Sequence, residues 1–252
     1  MSAPTPRVRL AILAAIAAAA SGILLGIFPP IAQNPAYHQF ADARSLLGIP
    51  DFWNVVTNLP FLLVAVWGLR AFRSRTAFQQ GWERAAYGIL LLGMALVAFG
   101  SGYYHWHPDS ATLVWDRLPM TAVFMSLLAA TIGERTAMSA GKWLLVPLLA
   151  AGIVSVLWWA ATGDLRSYGL VQFYPVATLP LMLAAFPPRY TGTGSLWAMV
   201  GCYVLAKAFE TFDHQIAAVL STGGHPWKHL AAACGMWFYV RSIAARSPIP
   251  RP

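Results

Sequence analysis

Five side chains could together carry out hydrolytic chemistry: Ser101, His105 and Asp116 in the stretch SGYYHWHPDSATLVWDRLPM, and His225 and His229 in TGGHPWKHLAAA. Two histidines four residues apart share one helix face. With a third histidine from another helix they form a sufficient donor set for a catalytic zinc, leaving the fourth tetrahedral position to water. The pKa of water held in this way falls to about 7, so hydroxide becomes available at neutral pH. Asp116 is placed to accept a proton from that water and return it to a leaving group. Ser101 is placed to donate a hydrogen bond to the oxyanion of a tetrahedral intermediate. The reaction class is metal-assisted hydrolysis of an acyl bond.

Each residue also has a structural reading. Asp116, three residues before Pro119, has the type and position of a helix N-cap. Ser101 follows Gly100 and would permit close helix packing, His225 would cap the last helix ahead of Pro226, and His105 alone would be an interfacial histidine. As a set these readings weaken, because ionisable groups inside membrane spans cost about 2.5–3.5 kcal/mol each and tend to be functional. His107 lies two residues from His105, about 200° away around a helix, and so faces solvent or headgroups. A haem held by His105 and His229 is a second use of the same histidines.

The elements that must position these groups are apolar. Of 252 residues, 58% are hydrophobic and 10% charged, with a mean hydropathy of +0.57, which is the composition of a bilayer-spanning chain. Segments of about twenty apolar residues fall at 10–32, 53–71, 85–106, 117–133, 143–162, 167–187, 195–219 and 225–243. The expected fold is therefore an all-α, polytopic membrane helical bundle forming a single domain over 1–252. The first segment resembles a signal peptide, but its apolar run continues through GILLGIFPP, so a retained helix is expected. The ends, MSAPTP and ARSPIPRP, read as short disordered tails, the latter within 244–252.

With the N-terminus cytoplasmic, the inner side collects Arg7, Arg9, Arg70, Arg73, Arg75, Arg84, Arg135, Lys142, Arg189, Arg241, Arg246 and Arg251, twelve of the seventeen basic residues. The outer side has Arg44, Arg117, Arg166 and Lys228. This bias predicts eight helices with both termini cytoplasmic and places the five candidate residues at the extracytoplasmic leaflet, where a lipid substrate can enter between helices. The net charge of +8 is accounted for by a basic rim against anionic lipid and implies no nucleic-acid partner. Cys202 and Cys234 form no CxxC pattern and imply neither a disulfide framework nor a thiolate metal site. A second polar cluster, Lys207, Glu210, Asp213 and His214, has the spacing of a buried ion-pair network. Asp213 is its best candidate for orienting a ligand histidine, and its first carboxylate, Glu210, for touching the amine of a substrate. No internal repeat points to a transporter.

The motifs Gly100-Ser101-x-x-x-His105, Asp116-x-Leu118-Pro119-Met120 and His225-x-x-x-His229, with DFWNVVTNLPF at 51–61 and FETFDHQ at 209–215, resemble the alkaline ceramidase family. That family lies within a wider superfamily of seven-helix membrane hydrolases and related receptors. The resemblance covers about 51–243 and makes the helix at 10–32 an addition to a seven-helix core. It implies a zinc amidase that splits ceramide into a sphingoid base and a fatty acid. His105, His225 and His229 would hold Zn2+, Asp116 would act on the zinc-bound water, and Ser101 would stabilise the oxyanion. Other N-acyl lipids, ester lipids and a lipid-sensing receptor without turnover are the alternatives within the same superfamily. Of the acidic set that eukaryotic members use for calcium, only Asp51 and Asp42 have counterparts here, and calcium is not part of the expectation.

Overall fold

Helix starts and stops follow the local sequence. In the structure, a computed structural model describing residues 4–250, α1 (Pro6–Gly26) opens at Thr5, whose hydroxyl accepts from the Val8 amide. A 3-10 turn (Pro35–His38) lies in the long connection that follows. Next come α2 (Phe52–Val56) and α3 (Leu59–Gly68), continued by a 3-10 turn, Leu69–Arg73. The chain then runs through α4 (Gly81–Trp106), α5 (Leu113–Arg135), α6 (Met138–Thr162) and α7 (Arg166–Ala185). It ends in α8 (Thr193–Thr211), the short α9 (Asp213–Ala217) and α10 (His225–Ala245). Among the described residues there is no strand, only the isolated bridges Leu46–Ile49 and Tyr190–Pro248.

Six of these segments are long and apolar enough to cross a bilayer: Pro6–Gly26, Phe52–Arg73, Gly81–Trp106, Leu113–Arg135, Met138–Thr162 and Arg166–Ala185. Their outer faces expose Leu63, Val66, Leu92, Phe99, Val146 and Val154, an apolar exterior suited to lipid. The chain thus has the make-up of a multi-pass membrane protein. α8, with Lys207 and Glu210, and α10, with two histidines, Lys228 and Arg241, are of similar length but more polar.

The core joins Tyr87, Leu90 and Met94 of α4 to Val123 and Leu127 of α5, and to Met199 of α8 and Val240 of α10. α1 is peripheral. It is fastened to α7 by the Tyr174 hydroxyl donating to Leu13 O at 2.8 Å, and by Arg166 donating to Phe28 O at 2.6 Å.

One end of the bundle is stapled by arginines. Arg9 Nη1 donates to Arg135 O at 3.0 Å, Arg135 Nη1 to Phe186 O at 3.1 Å and Arg246 Nε to Ala77 O at 2.7 Å. Arg246 also pairs with Glu134 at 2.5 Å. Beside it the buried Glu83 accepts from the Gln79 and Gln80 amides at 2.8 Å and from the Tyr190 hydroxyl at 2.6 Å. The first and last long helices both have an end here.

Several boundaries differ from expectation. The first helix stops at Gly26 and not at 32, because Pro29 and Pro30 cannot continue it. The segment expected at 195–219 breaks at Phe212, which separates α8 from α9. The end expected as a disordered tail is paired: the Thr191 amide donates to Ser247 O at 3.0 Å and the Ile249 amide to Arg189 O at 2.9 Å. The outermost residues of both tails, Arg251 among them, lie outside the described residues.

Candidate metal centre

The three histidines meet at the end of the bundle opposite the arginines. His105 is in the last turn of α4, His225 is the first residue of α10, and His229 lies one turn further on. All three are buried, and one ring nitrogen from each lies within 4.8 Å of the others. Ring centroids are 4.9 Å apart for His105–His225 and His105–His229, and 5.0 Å for His225–His229. Phe40, from the connection after α1, covers them with its ring 4.7 Å from His105 and 4.5 Å from His225.

Hydrogen bonding fixes one of the rings. The Thr57 hydroxyl donates to Trp53 O at 2.6 Å, so it accepts from His229 Nδ1 at 2.9 Å. Nδ1 therefore carries the proton, and Nε2 is the nitrogen left to bind a metal, the arrangement in which an outer partner sets the tautomer of a ligand. His105 Nδ1 and His225 Nε2 are buried with no hydrogen-bond partner. Unpaired buried polar atoms are costly, so the group holds unmet coordinating capacity. Three imidazoles facing one point form a donor set that fits zinc.

Close backbone contacts set the geometry. A Cβ on Gly100 would lie 2.1 Å from Trp115 O, so only glycine lets α4 and α5 approach there. This brings Ser101 within side-chain hydrogen-bonding reach of Asp116. Asp116 is not an N-cap: α5 begins three residues earlier, at Leu113 after Thr112, and Asp116 sits buried inside the first turn of the helix. Gly224, and not His225, is the residue before α10. A Cβ on Gly224 would lie 2.2 Å from Phe209 O, and this close approach seats the turn on Asp213. Asp213 Oδ1 accepts from the Gly224 and His225 amides at 2.7 and 2.8 Å, and Oδ2 accepts from Ala41 N at 2.9 Å. It grips the backbone that carries His225 and does not touch the imidazole.

A cavity of about 230 Å³ starts at Ser101, Asp116 and His229 and runs between Val97, Val123, Leu127, Leu179 and Met199. Arg117, Lys207, Glu210 and Lys228 also line it. Glu210 pairs with Lys207 and, at 2.6 Å, with Lys228. His214 is not in this network as its spacing suggested; it is exposed, with Nε2 3.2 Å from Gln39 O. His107 is exposed at the C-cap of α4. Asp42 is engaged by Arg44 at 2.7 and 2.8 Å, whereas Asp51 Oδ1 is buried without a partner.

Sequence reasoning missed Thr57, Phe40 and the reach of Lys228. Thr57 was legible only as part of DFWNVVTNLPF; no spacing rule ties it to a histidine 172 residues away.

Among curated proteins none matches the chain. A family model described as Ceramidase matches residues 47–246, a range that starts after α1 and takes in all three histidines, Ser101 and Asp116. With that match over most of its length, and with all of the motif residues gathered at one end of the bundle, the chain belongs to the ceramidase family.

Proposed function

We propose that this chain is an integral-membrane, zinc-dependent amide hydrolase that cleaves ceramide or a similar N-acyl lipid into an amine and a fatty acid. The observation that carries this reading is the meeting of three buried histidines at one end of the bundle, where His229, Ser101 and Asp116 line a cavity that continues between apolar side chains. An acyl chain fits the slot between Val97, Val123, Leu127, Leu179 and Met199, with its amide at the head. An ester at the same position meets the same groups.

Bound zinc supplies Lewis acidity and a nucleophile at neutral pH. His105, His225 and His229 would hold it, with Thr57 fixing the ring of His229 and Asp213 fixing the turn that carries His225. Asp116 takes the proton released by the attacking water and passes it to the leaving nitrogen. Ser101 donates to the carbonyl oxygen as charge develops there. Glu210 holds Lys228 and Lys207 at the cavity wall.

We read α8 and α10 as crossing the bilayer too, giving a seven-helix core over 51–243 plus α1. Both termini are then cytoplasmic, on the arginine-rich side, and the site faces the extracytoplasmic leaflet. The test is elemental analysis of the purified protein beside its His225→Ala variant, with ceramide hydrolysis followed in both. About one zinc per parent chain, far less in the variant and activity lost with the metal are expected. A zinc-free parent that still hydrolyses ceramide would overturn the metal role. Zinc without turnover of any N-acyl lipid would make the chain a receptor of the same superfamily.

A further inference from the structure

The cavity carries more positive charge than a neutral lipid requires. Its lining has three cationic side chains, Arg117, Lys207 and Lys228, against two carboxylates, Asp116 and Glu210. Both lysines are directed at Glu210. Asp116 has Ser101 within reach.

Arg117 has no such partner. Its residue is 5% exposed, and among the described residues it makes no ion pair with a carboxylate. Its guanidinium lies 4.1 Å from the Trp159 ring centroid and 4.5 Å from that of Tyr168. These contacts satisfy the faces of the ion, but its in-plane N–H groups still need acceptors. Nη2 donates to Gln33 Oε1 at 2.7 Å, whereas Nη1 is buried with no partner. A buried guanidinium with an unused N–H and no counter-ion is costly to maintain. It is also planar and held by aromatic rings, which prepares it to receive a carboxylate. It is adjacent in the chain to Asp116, at the head of the cavity.

We propose that the cavity takes an N-acyl lipid whose headgroup carries a carboxylate, an N-acyl amino acid, and that Arg117 receives that carboxylate. This rests on reading the cavity as the substrate site of an amide hydrolase. The reaction consumes one water, breaks the amide C–N bond and releases a fatty acid and a free amino acid. Lys228 contributes to the same positive field, while its pairing with Glu210 leaves Arg117 as the group with an open N–H.

The test compares three substrates in nonionic detergent with the zinc-loaded protein: palmitoyl-glycine, palmitoyl-ethanolamide and ceramide. The first two share acyl chain and amide, and differ in having a carboxylate or a hydroxymethyl group. A preference for palmitoyl-glycine of at least about tenfold in kcat/KM, mainly through KM, is expected. Arg117→Leu should bring that ratio close to one, and Arg117→Lys should keep part of it. The parent's own preference decides the matter even if Arg117→Leu fails to fold. Equal turnover of the acid and the ethanolamide, or a preference for ceramide, would overturn the inference and leave the hydrolase reading standing. Equal turnover combined with weaker inhibition by palmitate in Arg117→Leu would also overturn it, assigning Arg117 to the released fatty acid. If nothing is hydrolysed, calorimetric binding separates the two readings: tighter binding of palmitoyl-glycine that depends on Arg117 supports the anion site while the hydrolase reading fails.

Discussion

Thr57 holds His229 through one hydroxyl that donates to Trp53 O and accepts from the imidazole. Thr57→Val keeps the shape and removes that bond, so the ring is free to turn and to change tautomer. Zinc affinity is expected to fall about 10–100-fold, read by titration against a competing chelator; unchanged affinity would mean that packing alone orients the ring. In the proposed mechanism Asp116 and Ser101 act on the substrate side, so their substitution should leave the metal in place. Asp116→Asn is expected to lower kcat by about 10²–10⁴, and Ser101→Ala by about 10²–10³, each at normal zinc content. Loss of zinc in either variant would place that residue in the metal site instead. At this scale the sequence was informative where spacing was short: His225 and His229 had to share a face, and Ser101 and His105 likewise. Thr57 and Arg117 were not legible, since their significance comes from which groups lie opposite them across the fold.

Among the elements, the junction of α4 and α5 governs how Ser101 meets Asp116. Gly100→Ala would put a methyl group 2.1 Å from Trp115 O, a backbone atom that cannot give way without shifting the helix. Overpacking of this kind costs about 1–3 kcal/mol. A lower thermal midpoint and at least about tenfold loss of hydrolysis are expected, the latter because small misplacements at a reacting centre cost up to about 10²-fold. Gly102→Ala is the matched control, since nothing lies within 4 Å of a Cβ there. Equal effects from the two would point to helix propensity and not to the close approach. Most helices were legible as apolar runs, but their ends were less so. The break at Phe212 follows from Asp213 turning back to cap α10, a contact across 11 and 12 residues that hydropathy does not register. The C-terminal residues read as a tail because their composition is that of one. Their order comes from pairing with 189–191 and from the burial of Arg246.

For the molecule as a whole, the arginine-stapled end and the histidine end are opposite, so the side of the membrane that one faces fixes the other. The basic residues of the stapled end make structural bonds to carbonyls and to Glu134, yet Arg70, Arg73 and Arg84 nearby are exposed and remain available to set orientation. The orientation proposed from the positive-inside bias would put the stapled end in the cytoplasm and open the site to the outer leaflet. Alkaline phosphatase, which folds only where its disulfides can form, is expected to be active when fused in the turn between α4 and α5, near Asp109. Fused after Ile249 it should be inactive. The reverse pattern would turn the bundle over and give the hydrolase a cytoplasmic-leaflet substrate. Two active fusions would mean that an even number of segments crosses between these points, and α8 or α10, which are not among the six helices apolar enough to span, would be the segment that does not cross.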